Sequence, residues 1–195
     1  TMLRVARDEG HRGRLVGVDP DAAMLERARR WADIEWEPGT AADLRYDGEF
    51  ALVTMASNAF QCLVPDAELR DSLTAIRRAL SAGGVFVFGT RHLQARAWEA
   101  WNPANAGATE LPDGRSIRGW HEVERVEGPL GTFSETVARL DGTPLRVSRT
   151  TLRFHVPETL NAFLQDAGFV VEHQFGDWDR GPLTPQSREI VTMAR

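Results

Sequence analysis

The predicted fold is decided by residues 14–21, which read Arg14-Leu-Val-Gly-Val-Asp19-Pro20-Asp21. The apolar run before Asp19 is too short for a helix and predicts a buried strand that ends at this residue. Pro20 suits the first position of a following helix, and Asp21 suits its first turn, where the helix dipole favours negative charge. Apolar residues then recur at helical spacing over residues 22–31, so the stretch predicts a strand, an abrupt turn and a helix.

Asp19 has two interpretations at this level. An acidic side chain at the carboxyl end of a parallel strand is where open α/β sheets hold the ribose of a nucleotide, because a carboxylate can accept hydrogen bonds from both ribose hydroxyls. The alternative is that Asp19 only caps the helix that follows. The local sequence favours neither interpretation over the other.

Composition limits the class of protein. The chain of 195 residues is long enough for one core and short for two domains, and its 42% hydrophobic and 26% charged residues are ordinary for a globular protein. The net charge of −5, without a dense Lys/Arg block, argues against nucleic-acid binding. The single cysteine, Cys62, excludes an internal disulfide framework, and no apolar run approaches the roughly 20 residues of a membrane span. Because no signal-peptide pattern is present either, we expect a cytoplasmic protein.

Strand and helix patterns alternate as far as residue 91, which indicates a parallel sheet covered by helices. The predicted strands are residues 14–19, 34–37, 50–56 and 85–88, and the predicted helices are residues 1–10, 20–31 and a third that begins at Pro65-Asp66 and ends at Gly83-Gly84. A long loop over residues 98–114 follows, and then three strand-like segments, 117–126, 132–140 and 145–154, which predict an antiparallel insert. A helix over residues 157–168 and strands over residues 169–175 and 189–194 complete the prediction.

Five segments, in this order, resemble the class I S-adenosylmethionine (SAM)-dependent methyltransferases. They are residues 16–19 before a helix, the loop 39–44 with Asp43, the strand 50–55, the Leu80-Ser-Ala-Gly-Gly entry into a strand, and Ala167-Gly-Phe169 before another strand. The resemblance implies an α/β fold with a three-layer, Rossmann-like sheet, mostly parallel with an antiparallel last strand, plus an antiparallel β insert. It also implies SAM as the cofactor and methyl transfer to a small-molecule acceptor.

The same resemblance divides the chain into a SAM-binding domain, residues 1–90 and 154–195, and an antiparallel cap over residues 91–153 that covers the substrate. One family motif has no counterpart in this sequence, namely the central first strand and its acidic-x-Gly-x-Gly-x-Gly loop. We therefore expect an N-terminally truncated domain that lacks this strand. The strands on either side of the missing one would then have unpaired backbone groups, at a cost of about 1–3 kcal/mol for each group that is buried.

The resemblance also implies the cofactor contacts. Asp19 would hold the ribose, Pro20 would pack against the adenine ring, and Asp43 would contact the adenine amino group. The polar loop after the strand 50–56 adds two further contacts, for which loop structure alone is the alternative. The complete set of candidate cofactor residues is Asp19, Pro20, Asp43, Leu44, Asn58 and Ala59.

Methyl transfer needs mainly proximity and orientation, and it needs a base only when the acceptor must lose a proton. His92 and His121 are the candidate bases because imidazole titrates near neutrality, and a structural role is the alternative for each. Alternation along a predicted strand places Trp120 on the opposite face from His121. No cluster of Cys and His has metal-ligand spacing, so we predict no metal. The candidate substrate contacts are Phe60, Gln61, Arg91, Trp120 and Trp178, with packing as the alternative for each.

Two other classes of function stay open. A nicotinamide-dependent oxidoreductase would use Asp19 on the ribose of NAD equally well, but the Gly-rich fingerprint is absent and Asp43 lies in a second acidic loop. A degenerate methyltransferase-like fragment without enzymatic activity would act through partner contacts, and the absent glycine loop favours it. The expected partners are a small-molecule substrate and, as an option, a second copy of the chain in a homodimer.

Overall fold

The computed structural model describes residues 2–111 and 113–195. Its first part alternates helices and strands as predicted, with α1 (Met2–Asp8), β1 (Val16–Asp19), α2 (Ala22–Ala28), β2 (Glu35–Pro38), β3 (Phe50–Met55), α3 (Asp66–Ala79) and β4 (Leu80–Arg91). An antiparallel cap follows, with β5 (Gly107–Glu110), β6 (Ser116–Glu127), β7 (Leu130–Arg139) and β8 (Pro144–Arg153). The last elements are α4 (Pro157–Asp166), β9 (Val171–Phe175) and β10 (Glu189–Ala194).

The strands outside the cap form two sheets. β1 and β2 are a parallel pair. A separate sheet has the order β3-β4-β10-β9, in which β3 and β4 are parallel and β10 is antiparallel to both of its neighbours. Among the described residues no strand lies between β1 and β3, so both are edge strands, and Leu52 on β3 is 55% exposed.

One apolar core joins the larger sheet to its helices. Leu69, Leu73, Ile76 and Leu80 recur at helical spacing in the sequence and form a predicted stripe. All four are buried, the first three on α3 and Leu80 at the start of β4. The stripe packs in one cluster with Phe86 and Phe88 of β4 and with the buried leucines of α4. This packing fixes the carboxyl ends of β3 and β4, where the candidate site lies.

The start of α2 differs from the prediction. The helix begins at Ala22, and Pro20 lies outside it. Asp21 is the N-cap rather than a residue of the first turn, and its Oδ1 accepts hydrogen bonds from the N–H groups of Ala23 and Met24. A side-chain oxygen that satisfies two free N–H groups is a stronger local determinant of the boundary than the fixed φ of proline.

The end of α3 also differs from the prediction. The helix ends at Ala79, and Leu80 already begins β4, so the glycine pair lies inside the strand. A Cβ on Gly84 would lie 2.9 Å from the carbonyl oxygen of Phe50 in β3. The glycine therefore permits the close approach of two parallel strands, which a sequence pattern cannot distinguish from a helix terminus.

The cap contains one strand more than predicted, because β5 pairs with β6 inside the segment expected to be a loop. The inner face of the cap carries Phe133, whose ring centroid lies 4.7 Å from that of Trp101. The alternation predicted on β6 is confirmed. Trp120 Nε1 donates to Glu122 Oε2 at 3.0 Å on one face, and His121 packs near Trp101 on the other.

Candidate functional site

Asp19 ends β1 and uses one carboxylate oxygen locally. Its Oδ1 accepts a hydrogen bond from the N–H of Asp21 at 2.8 Å, and its Oδ2 accepts none from residues 2–111 and 113–195. The side chain borders a cavity of about 250 Å³ between α2 and β2, which is also lined by Arg27, Arg30, Trp31 and Trp36. Pro20 is exposed beside it. Asp19 therefore stabilises the turn into α2 and still presents an acceptor to a ligand.

Asp43 is held by a capping box in the loop after β2. Its Oδ2 accepts hydrogen bonds from the N–H and from Oγ1 of Thr40, both at 2.8 Å. These bonds hold the pKa of the exposed Asp43 carboxyl below its usual value. Leu44 packs against the core, and its carbonyl accepts a hydrogen bond from Arg78 Nη2 at 2.6 Å. The loop thus presents an ionised carboxylate on a backbone anchored to α3.

The turn after β3 adopts an uncommon backbone conformation. Ser57 and Asn58 have φ of 54° and 57°, in the left-handed region that residues other than glycine rarely occupy. Each such residue costs about 1–3 kcal/mol and persists where surrounding contacts enforce it, often at functional sites. Asn58 is held by its Nδ2, which donates to Oε1 of Glu189 at 3.3 Å, and Ala59 beside it is exposed.

Phe60 and Gln61 were predicted to contact the substrate, and the structure corrects both, because both side chains are completely buried. Phe60 stacks on Phe88 with ring centroids 4.2 Å apart and belongs to the core. Gln61 donates from Nε2 to the carbonyl oxygen of Arg153 at 3.2 Å and accepts at Oε1 from Arg91 Nη1 at 3.0 Å. Gln61 therefore holds the Arg91 side chain in position and does not itself contact a ligand.

Arg91 lies at the end of β4, between the sheet and the cap. The residue is half-buried, and its guanidinium carbon lies 5.1 Å from the ring centroid of Trp101. Burial lowers the pKa of Arg91 from its usual value, and the negative charge of Glu189 opposes this shift. The guanidinium remains a cation, held between Gln61 and Trp101, and stays a candidate substrate contact.

The two candidate bases differ in accessibility. His92 is 2% exposed, and its Nδ1 lies 3.2 Å from the carbonyl oxygen of Ser187. An acceptor cannot reach a ring enclosed in this way, so the prediction of His92 as a base is wrong. His121 is half-buried on the inner face of the cap, with its ring centroid 5.5 Å from that of Trp101. His121 alone keeps its place as the candidate base.

An aromatic cleft lies between the cap and the segment after β4. A cavity of about 410 Å³ there is lined by Trp98, Glu99, Trp101, Asn102, Pro103, Glu122 and Val123. Trp120, a predicted substrate contact, is not among the residues that line this cleft, and its indole instead donates to Glu122 at the border of the cleft. Trp178 is 52% exposed, and its Nε1 donates to Oε2 of Glu189 at 3.1 Å.

Sequence reasoning missed Glu189. A signal for Glu189 existed, because the first residue of an antiparallel last strand lies at the edge where the parallel strands end.

Two features are absent from the part of the chain that the structure describes. It contains no group of three or more His, Cys, Asp or Glu side chains placed to hold a metal ion. It also contains no helix that is both long and apolar enough to cross a membrane.

Residues 1–84 match the model of a family described as a methyltransferase domain, and no curated protein matches the chain. Among solved structures, the CcbJ methyltransferase from Streptomyces caelestis is 22% identical, with a TM-score of 0.74 over 92% of this chain and 73% of that one. A SAM-dependent methyltransferase from Clostridium acetobutylicum is 14% identical, with a TM-score of 0.76 over 94% and 75%. The amino pentose methyltransferase CalS10 from Micromonospora echinaspora, bound to SAM, is 22% identical, with a TM-score of 0.66 over 93% and 73%.

The similarity to methyltransferases favours the interpretation of Asp19 as a nucleotide contact over that of a helix cap alone. The segment that matches the methyltransferase domain contains both acidic turns, at Asp19 and at Asp43. The structural likeness extends over more than nine-tenths of the chain and includes the antiparallel cap. The shared fold confirms the predicted fold class, and the segment 1–84 within it matches a methyltransferase domain.

Proposed function

We propose that the protein transfers a methyl group from SAM to a small-molecule acceptor. Asp19 and Asp43 contact the cofactor, and the cleft beside Trp101 binds the acceptor. The observation that carries the proposal is the pair of acidic turns that follow β1 and β2 within the segment matching a methyltransferase domain. An oxidoreductase needs only the first of these carboxylates.

The two carboxylates fit the polar groups of an adenosine. Asp19 keeps Oδ2 as an acceptor for the ribose hydroxyls, since only Oδ1 is used by the Asp21 N–H. Asp43 uses Oδ2 for Thr40 and keeps Oδ1 for the adenine amino group. The remaining proposed cofactor contacts are Pro20, Leu44, Asn58 and Ala59.

Bound SAM supplies an electrophilic methyl group and its own leaving group, so the protein has mainly to align the acceptor, an effect that can be worth about 7–11 kcal/mol. We assign residues 91–153 as the cap that covers the acceptor and excludes water. Arg91 and Trp101 orient it from the end of β4 and from the aromatic cleft. The imidazole of His121 takes the proton that an ammonium or hydroxyl acceptor loses.

Sugars that carry an amine are the first acceptors to test. The similar structures include the sugar N-methyltransferase KedS8, the amino pentose methyltransferase CalS10 and the glycopeptide N-methyltransferase MtfA. In this chain, the cleft combines the flat indoles of Trp98 and Trp101 with the polar side chains of Glu99 and Asn102. Apolar surface beside a few hydrogen-bonding groups suits the faces and hydroxyls of a sugar ring.

A cytoplasmic location and a homodimer belong to the proposal as well. Cys62 is a free thiol and the chain's single cysteine, which fits a reducing compartment. Light scattering of the purified protein measures its mass in solution and tests the dimer.

Calorimetric titration with S-adenosylhomocysteine (SAH) tests the cofactor assignment. Asp19→Ala and Asp43→Ala should each weaken SAH binding roughly 10- to 100-fold, because a hydrogen bond to a charged group contributes about 1.5–3 kcal/mol. Asp47→Ala, at an exposed position before β3, is the matched control.

Two results would contradict the proposal. One is a folded protein that binds no SAH, and the other is a pair of variants that bind SAH as well as Asp47→Ala does. Binding of NAD in place of SAH would favour the oxidoreductase, and binding of neither would favour a non-enzymatic role.

A further inference from the structure

Glu189 connects two loops of the candidate site through one carboxylate. It is the first residue of β10 and pairs with Arg91 at the end of β4. Its Oε1 accepts a hydrogen bond from Asn58 Nδ2 at 3.3 Å, and its Oε2 accepts one from Trp178 Nε1 at 3.1 Å. The turn after β3 and the loop between β9 and β10 therefore meet at this side chain.

Each loop is constrained where it meets Glu189. Ser57 and Asn58 hold left-handed φ values, a conformation that persists when surrounding contacts enforce it. The Trp178 ring lies against the backbone of Gly89 in β4, where an added Cβ would be 3.0 Å from Cζ2 of the indole. Trp178 is still 52% exposed, so part of the ring remains open to a ligand.

The two contacts call for a carboxylate at position 189. Asn58 Nδ2 and Trp178 Nε1 are both donors, so each requires an acceptor. A carboxylate presents two acceptor oxygens and no donor, whereas the amide of a glutamine would turn an N–H group toward one of the two donors. Hydrogen bonds to an ionised carboxylate are also stronger than bonds between neutral groups.

We propose that Glu189 is a positioning residue that holds the Ser57–Asn58 turn and the Trp178 indole in one mutual arrangement. The turn lies at the carboxyl end of β3, where the cofactor is placed, and this step rests on the proposed function. The indole borders the end of β4 near Arg91, on the side of the acceptor. A ligand that contacts the turn therefore changes the environment of Trp178 through a single carboxylate.

Fluorine NMR of the protein labelled with 5-fluorotryptophan tests the positioning without any substrate, and Trp178→Phe identifies the Trp178 resonance. Glu189→Leu should shift and narrow this resonance, because leucine offers no acceptor and the half-exposed indole becomes more mobile. Glu172→Leu is the matched control on neighbouring β9, where the carboxylate pairs with Arg195 at 3.1 Å. An unchanged Trp178 resonance in Glu189→Leu would overturn the proposal.

Titration with SAH tests the connection to the cofactor. Bound SAH should shift the Trp178 resonance in the wild-type protein but not in Glu189→Leu, and the substitution should weaken SAH binding roughly 3- to 10-fold at an unchanged melting temperature. If Glu189→Leu fails to fold, Asn58→Gly replaces it in the comparison without ligand, where the proposed contact of Asn58 with the cofactor plays no part. Glycine suits the left-handed φ, and loss of the amide donor to Glu189 should shift the Trp178 resonance, whereas an unchanged resonance would overturn the proposal.

The outcomes of this titration separate the two proposals. Equal SAH affinity and equal Trp178 shifts in the wild-type protein and in Glu189→Leu would overturn the role of Glu189. A wild-type protein that binds no SAH would overturn the proposed function instead. The comparison of Trp178 resonances without ligand would then still decide whether Glu189 positions the indole.

Discussion

The protein should lose stability in mild acid because His155 is buried as a neutral imidazole. His155 is 2% exposed, its ring centroid lies 5.4 Å from that of Phe60, and its Nε2 has no hydrogen-bond partner among the described residues. Burial lowers the pKa of His155 from 6.5 to about 4, and the positive charge of Arg153 adds to this shift. A change of pH should therefore alter the stability of the protein, and His155→Gln is the matched variant without a titratable side chain at this position.

The size of the effect follows from the difference in pKa between the two states. The unfolded chain protonates His155 below about pH 6.5, whereas the folded protein does so only below about pH 4, so the unfolded state binds more protons in between. The contribution to stability is complete above pH 6.5 and is lost as the pH falls toward 4. At about 1.36 kcal/mol per pKa unit, the loss is about 2 kcal/mol at pH 5 and about 3 kcal/mol at pH 4.

Urea unfolding at pH 7 and at pH 5 measures this loss. Between these pH values the wild-type protein should lose about 2 kcal/mol more than His155→Gln, since the effect of protonating carboxylates is common to both proteins and cancels. His173→Gln, at an exposed position on β9, is the control for removal of an imidazole. Equal pH dependence of the wild-type protein and of His155→Gln would show that His155 is not buried as a neutral group.

Two further substitutions test the packing around the site by urea unfolding at pH 7. Gly17→Ala should lower the free energy of unfolding by about 1–3 kcal/mol, because its Cβ would collide with the Trp36 ring. Gly119→Ala, whose Cβ would meet no atom closer than 3.7 Å, should show no such loss, and equal losses would rule out the collision as the cause. Gln61→Leu should cost about 1–3 kcal/mol, because a guanidinium and a backbone carbonyl lose their partner. Gln94→Leu, at an exposed position, is the control and should change the free energy of unfolding by less than about 0.5 kcal/mol. If Gln61→Leu is as stable as Gln94→Leu, the hydrogen bonds of Gln61 contribute nothing to stability.

The sequence alone determined the alternating elements of the first 91 residues and the buried stripe on α3. These follow from local properties, because a period of 3.6 residues or a short apolar run can be recognised without any distant partner. The two acidic turns at Asp19 and Asp43 were also predictable, since each directly follows a strand that the pattern identifies. The alternation on β6 that separates Trp120 from His121 has the same local origin.

Which side chains of the candidate site are accessible to a ligand depends on packing between elements that are distant in the sequence. Phe60 and Gln61 lie in a short segment after β3 that looks like an open loop in the sequence, yet the core and Arg153 enclose them. Asn58 and Glu189 are 131 residues apart, and they meet because β10 enters the sheet antiparallel to β4. Local sequence patterns indicate which face of an element is apolar, but they do not indicate which distant element packs on that face. Burial, hydrogen-bond partners and shifted pKa values all depend on that packing, so they emerge only when the chain is folded.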